Sequence, residues 1–374
     1  MNPPDESDLR LRGADLDVLR QLPTILLREG YIDTYCVYGT LHVRFAAVRE
    51  QLELLPRPVR TLMSLFFLGE MQPVQEVAEI FTDGQIQALR RLGVFMESGG
   101  RLHTGGLVLL PIGGLLMFVP APNINPPVYF GDDSAALVAH LSPPRGARCV
   151  DFCAGPGIQA LRASTAGGHV VAVEINPVAL AVAELNVALN GLEDRIELRL
   201  GDLYAALRPE ERFDFVSANP PLLPFAPDLP YPFVGHGGGD GLAVTRRILD
   251  KLPGILSERG TAQIIGTCLG DLDGPTPRAE LARYAKEQGL HVVMTVPARL
   301  PMHPGSPMFD GLVWTCAEAS GLSTEVVQRR YAEHLQQLGA DHLYTFFLTI
   351  SQGRARPEFQ LTEHFRRPGG FWFR

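Results

Sequence analysis

Two groups of residues in this chain have types and spacing suited to chemistry. The first is the run Val150-Asp151-Phe152-Cys153-Ala154-Gly155-Pro156-Gly157, in which an apolar strand enters a glycine loop that opens a helix near Gln159. Glycine suits such a loop because the backbone must turn tightly and let a ligand approach with no Cβ in the way. Glu174 closes the next apolar run, Val170 to Val173, where a carboxylate can accept hydrogen bonds from both ribose hydroxyls of a nucleoside. Asp202 and Leu203 follow a third run, Ile196 to Leu200, and an acid there can meet an adenine amino group. Each carboxylate alone would pass for a surface residue. In order, at successive strand ends, they describe a nucleoside site.

The second group is Asn219-Pro220-Pro221-Leu222, directly after the apolar run Phe213 to Ala218. The prolines fix φ and remove backbone donors, so the loop presents carbonyls as acceptors. The Asn219 side-chain oxygen and the Pro220 carbonyl can together accept both hydrogens of an NH2 group and leave its lone pair free to attack. The tripeptide also occurs at Asn125-Pro126-Pro127 with no strand before it, so the following-strand context, and not the tripeptide, carries the meaning.

These residues need a scaffold. The chain has 374 residues, 46% of them hydrophobic, which at about 150 residues per domain suggests two domains. Leu16, Leu19 and Leu22, then Val74, Val77 and Ile80, repeat at helical spacing, and Leu102 to Leu110 and Leu115 to Pro120 flank Pro111, Gly113 and Gly114 as a hairpin would. Residues 1–122 are therefore expected to form a smaller, helix-rich or winged-helix-like accessory domain capping the second. The Pro-, Asn- and Gly-rich segment Pro120 to Ser134 reads as a linker. From Cys149 onward seven strand candidates alternate with helices, the last three strands being Gly260 to Gly266, His291 to Val296 and Leu343 to Ile350. The expectation for residues 123–374 is an α/β, Rossmann-like, seven-stranded domain with helices on both faces.

Composition narrows the function classes. Five cysteines form no CxxC pair and no zinc-like spacing, which suggests reduced thiols, a cytoplasmic protein and no metal. The formal charge of −8 argues against broad nucleic-acid binding. The longest apolar stretch, Leu107 to Pro120, is interrupted by two glycines and is too short to cross a bilayer, so no membrane association is expected. Met1 to Asp8 carries acids and prolines where a secretory signal starts basic and turns apolar, so no export is expected.

The run Asp151 to Gly157, then Glu174, Asp202 and Asn219 to Leu222, resembles the class I S-adenosylmethionine (SAM)-dependent methyltransferases, and within them the HemK-type group. That group is named for glutamine methylation of peptide release factors and has relatives that methylate rRNA bases. The resemblance runs from about Val128 to Ile350 and includes Gly238-Gly239-Asp240-Gly241-Leu242; that of Leu65-Phe66-Phe67-Leu68-Gly69-Glu70 to other bacterial members is weaker. It implies SAM as cofactor, with Asp151, Gly155 and Gly157 at the methionine part, Glu174 at the ribose and Asp202 at the adenine. Ala154 and Leu203 belong among the contacting positions, and Asn219, Pro220, Pro221 and Leu222 form the catalytic loop. Two positions depart from the group: Cys153 stands where members usually carry Gly, and Leu222 where they favour Tyr, Phe or Trp.

Leucine offers no π-face for a planar amide or base. This points to a small amine or amino-acid-like acceptor ahead of a protein glutamine, with nucleic acid below both. Substitute rings could come from Phe225, Tyr231 or Phe233, which loop packing explains better; Tyr129 could cover the methionine end of SAM or simply pack; and His236 could accept a proton, although an exposed loop histidine without a role is the better reading. Two other enzymes remain open at this point: one cyclising SAM itself with release of methylthioadenosine, and an rRNA or DNA base N-methyltransferase. So does a catalytically silent binding module. The tail, with Arg366, Arg367, Phe371, Trp372 and Phe373, could dock on the body or meet a partner.

Overall fold

The computed structural model describes residues 13–38, 45–121, 126–352 and 358–364. The tail residues 366–373 and Asn125 lie outside them.

The N-terminal half begins with α1 (Gly13–Arg28), α2 (Tyr31–Tyr38), α3 (Phe45–Leu52) and α4 (Arg57–Leu62), the last running into a π-helical turn at Met63–Phe67. Leu65, Phe66 and Phe67 of the apolar run are buried in that turn. Then come β1 (Gln72–Pro73), α5 (Val74–Val77), α6 (Asp83–Arg91), β2 (Met96–Ser98) and β3 (Arg101–His103). The short strands pair in the order β1-β3-β2, an arrangement of helices closed by a small wing. Helix α6 starts where it does because Thr82 and Gln85 form a capping box. The hairpin β4 (Leu107–Ile112) and β5 (Leu115–Pro120) completes this half.

The second half holds α7 (Asp132–His140), β6 (Arg148–Phe152), α8 (Ile158–Ser164), β7 (His169–Glu174), α9 (Pro177–Leu189), β8 (Ile196–Leu200), β9 (Phe213–Ala218), α10 (Ala243–Ile255), β10 (Leu256–Asp271), β11 (Gly274–Pro275), α11 (Arg278–Gln288), β12 (His291–Pro301), α12 (Pro307–Ser320), α13 (Thr324–Gln337), β13 (His342–Ser351) and β14 (Glu358–Glu363). The seven expected strands are present in the order β12-β13-β10-β9-β6-β7-β8. Strands β6 to β10 pair in parallel and β13 is antiparallel to both neighbours, as a Rossmann-like methyltransferase sheet requires. The inner strands are near-continuous apolar runs because helices cover both faces.

The sheet is larger than seven strands. β14 adds a parallel edge beside β12, and β11 folds back on β10. One helix also replaces expected irregular chain: Asp132 to Ser134, read as linker, open α7.

One hydrophobic core joins the two halves, running from Leu19 and Leu26 through the hairpin to Leu185 and Leu189 of α9. The joint is polar at its centre. Asn186 of α9 accepts from the Phe118 amide at 2.7 Å and donates to the Phe118 carbonyl at 2.8 Å and to the Pro156 carbonyl at 2.9 Å. Asn190 bonds the Leu116 amide and carbonyl in the same way. The two side chains thus act as a substitute strand for the edge of β5, and Asn186 also ties that edge to the glycine loop. Asn186→Ala leaves buried backbone groups unpaired and is expected to cost about 3 kcal/mol in urea unfolding. An unchanged midpoint would show that the joint does not depend on it.

Candidate active site

Strand β6 ends at Phe152, and the chain turns through Cys153, whose φ of 57° is unusual for a residue with a side chain. Leu203, after Asp202, has a φ of 48°. Both line the same cavity of about 200 Å³ at the ends of β6, β7 and β8. Such backbone costs on the order of 1–3 kcal/mol per residue and collects at ligand sites. A glycine at position 153 would relieve it; here the thiol occupies the cavity wall, and burial pushes its pKa up.

Glu174, 7% exposed, is fixed by two backbone donors: Gly155 N–H to Oε2 at 2.7 Å and Asn176 N–H to Oε1 at 2.8 Å. Each oxygen keeps a lone pair. Asn176 holds the Pro127 carbonyl at 2.6 Å, which ties the entry segment to the cavity. Asp202 is paired with Arg247 of α10 at 2.7 Å. Ala154 and Gly155 also line this cavity. The lining fits a nucleoside: the held carboxylate of Glu174, the second carboxylate of Asp202, and apolar walls from Ile158, Ile175 and Val244.

Asp151 and Gly157 are not in that wall. Gly157, with φ of 90°, starts α8, and a Cβ there would lie 3.3 Å from Ala183 Cβ, so it serves the packing of the loop on α9. Asp151 lies one layer down, 1% exposed, and accepts from Ser217 Oγ at 2.7 Å. Burial pushes its pKa up to about 7, the charge of Glu174 adds to this, and the Ser217 hydrogen bond opposes it.

A second cavity, of about 810 Å³, adjoins the first. The loop from Asn219 to Leu222 contributes to its lining. Asn219 lines both cavities, Pro220 and Leu222 the larger and Pro221 the smaller. The loop is clamped: Thr267 Oγ1 donates to the Leu222 carbonyl, Leu223 N–H to the Gly235 carbonyl at 2.9 Å, and Gly237 N–H to the Leu223 carbonyl at 2.8 Å. Gly241, with φ of 85°, passes so close that a Cβ would lie 2.7 Å from the Leu222 carbonyl oxygen. This accounts for the Gly238 to Leu242 segment before α10.

The candidate rings separate. Tyr129 lines both cavities, Tyr231 the larger, and Phe233 and His236 the smaller, Phe233 being 67% exposed. Phe225 is no site residue: fully buried, it stacks between Tyr231 at 4.2 Å and Tyr331 of α13 at 4.8 Å. Sequence reasoning missed Asp132, Asp133 and Ser134, although Asp-Asp-Ser before an apolar run is a helix-start signal. It also missed the walls supplied by the N-terminal half, Tyr35, Phe67 and Val108, and by Trp314 of α12.

Fold and site together define a Rossmann-like domain with a cavity that fits a nucleoside beside a larger, mainly apolar one, with Asn219 at their junction. Residues 128–226 match the family model described as Methyltransferase small domain. The chain is 40% identical over 123 residues to the ribosomal protein uL3 glutamine methyltransferase of Bordetella pertussis, covering 30% of this chain and 41% of that protein. It is 35% identical over 153 residues to the release factor glutamine methyltransferase of Cereibacter sphaeroides, covering 37% and 54%. It thus spans only about half, or less, of the length of these relatives. In these comparisons the second half of the chain is similar to class I SAM-dependent methyltransferases of the HemK type, the family model matching it as far as residue 226.

The expected preference for a small amine over a protein is corrected by these comparisons, since the relatives are named for glutamine in proteins. Leu222 misled because the missing ring was weighed without the cavity around it. Among the described residues, no helix is long and apolar enough to cross a membrane.

Asp151 provides a test of the loop's electrostatics. Its proton leaves the unfolded chain near 3.8 and the folded protein at about 7. The unfolded state binds fewer protons in that window, so stability falls as pH rises through it, by about 4 kcal/mol in all. Asp151→Asn removes the titration. In urea unfolding it should gain on the wild type between pH 4 and pH 7.5; a pH-independent difference would contradict the assignment.

Proposed function

We propose that the chain is a SAM-dependent N-methyltransferase whose acceptor is the side-chain amide of a glutamine in a protein, working in the cytoplasm. The observation that carries this reading is Asn219, at the junction of the two cavities, with its side-chain oxygen buried and without a partner among the described residues. A buried acceptor left open costs about 1–3 kcal/mol, so it is kept for a donor that arrives with the ligand.

SAM supplies a methyl group already activated on a positively charged sulfur. Glu174 binds the ribose hydroxyls, Asp202 faces the adenine, and Cys153 to Gly155 line the methionine end. Asn219 Oδ1 and the Pro220 carbonyl accept the two hydrogens of the acceptor amide. That arrangement directs the nitrogen lone pair out of the loop, towards the smaller cavity. Positioning of this kind is worth about 7–11 kcal/mol in favourable cases. Leu222, Val108 and Ile265 give the larger cavity apolar walls that exclude water, and Leu222 contributes contact without a stacking face.

Residues 1–122 are in this reading the accessory domain and residues 123–374 the catalytic one, the first completing the acceptor cavity of the second. An acceptor cavity of about 810 Å³ has no role in cyclisation of SAM. Among the described residues its lining contains Asp132 and Asp133 and no Lys or Arg, which disfavours nucleic-acid phosphates.

Asn219→Ala should lower turnover at least about 100-fold and leave SAM affinity, read by calorimetry, unchanged. Unimpaired turnover removes the amide-positioning mechanism. Glu174→Ala should weaken SAM binding at least about tenfold; unchanged affinity would displace the ribose site.

A further inference from the structure

Asp133 lies in the first turn of α7, next to the catalytic loop, and is 5% exposed. It is among polar partners: Tyr129 Oη donates to its Oδ1 at 2.7 Å, and Asn219 lines the same cavity; burial raises the pKa of the carboxyl, while the Tyr129 and Asn219 side chains favour its charged form. Asn219 Nδ2 also donates to Ser134 Oγ at 3.1 Å. The backbone leaves room for this cluster. A Cβ at Gly131 would lie 2.2 Å from Tyr129 Oη and 3.0 Å from Asp133 Oδ1.

A primary amide has two ends of nearly equal size, and rotation by half a turn exchanges its donor for its acceptor. Nothing in the Asn-Pro-Pro sequence selects one orientation. An ionised carboxylate can only accept, so it faces the nitrogen end of the amide and repels the oxygen end. With Nδ2 held towards α7, Oδ1 points the other way, where no described residue meets it. A donor-seeking acceptor at that place is what an incoming NH2 group requires.

We propose that Asp133 is a positioning residue that sets the orientation of the Asn219 amide, with Tyr129 holding the carboxylate in place through its hydroxyl. The proposal rests on the glutamine reading for what the oriented amide receives, and it concerns this chain's own residues for how the amide is held. Tyr129 thereby has a second task besides lining the two cavities. Asn at position 133 would not do the same work, because it can donate as well as accept and so tolerates both orientations of Asn219.

The test uses the full chain with selectively 15N-labelled asparagine, the Asn219 side-chain NH2 signal being assigned from its loss in Asn219→Ala. In the wild type that NH2 pair is expected to exchange slowly with solvent, and in Asp133→Asn to lose this protection. Turnover is read in parallel as S-adenosylhomocysteine released with a pool of synthetic peptides carrying one glutamine each. Asp133→Asn is expected to lower kcat about 100-fold with KM for SAM unchanged, and the double variant with Asn219→Ala to be no slower than Asn219→Ala alone. Should Asp133→Asn fail to fold, Gly131→Ala, which pushes Tyr129 off the carboxylate, is expected to give the same NH2 signature. Retained protection and kcat in Asp133→Asn, or losses that add to those of Asn219→Ala, overturn the proposal. A wild type that methylates no peptide, yet shows a protected Asn219 amide released in Asp133→Asn, overturns the glutamine reading and supports the role of Asp133.

Discussion

The amide of Asn219 has to stand at one place with one face outward, and much of the surrounding structure follows from that requirement. It directly follows a buried parallel strand, so its position is fixed by the ladder between β9 and its neighbours β6 and β10, which ends at Ala218. The two prolines after it stiffen the chain, and the Thr267 hydroxyl, Gly237 and Gly241 close around Leu222 from the other side. The result is a rigid partition with a nucleoside-sized cavity on one side and a larger, apolar one on the other.

The N-terminal half belongs to this machinery through packing. Its hairpin is docked by Asn186 of α9 and Asn190 at its end, and its residues Tyr35, Phe67 and Val108 wall the larger cavity. Because Asn186 also donates to the carbonyl of Pro156, the same side chain braces the loop that carries Gly155. A wall of the acceptor cavity and the cofactor loop therefore share a support. Ordinary helix and hairpin packing explains the rest of this half.

The cofactor side was legible in the sequence because its signals are local: a glycine loop after a strand, then acids at successive strand ends. Legibility stopped at Asp151, which sits in the same motif yet faces Ser217 on β9, a neighbour set by sheet order and not by adjacency in the chain. Phe225 could not be separated from Tyr231 for a similar reason. Its burial depends on Tyr331, which arrives from a distant helix. Asp133 was hidden in a stretch whose prolines and glycines suggested a linker, and its importance comes from its place beside Tyr129 and Asn219, which only the folded chain sets. The missing ring at Leu222 was visible, but its consequence depended on the size and walls of a cavity that only the folded chain forms.

The central claim is that the partition at Asn219 presents a protein glutamine amide to the methyl of SAM. It is tested most directly by incubating the full chain with SAM carrying a 13C-labelled methyl group and a cell extract, followed by mass-spectrometric location of the label. The account predicts the labelled methyl on the side-chain nitrogen of a glutamine in a protein, with S-adenosylhomocysteine as the released nucleoside. Label on a nucleic-acid base or a small metabolite, or release of methylthioadenosine in place of S-adenosylhomocysteine, would contradict it.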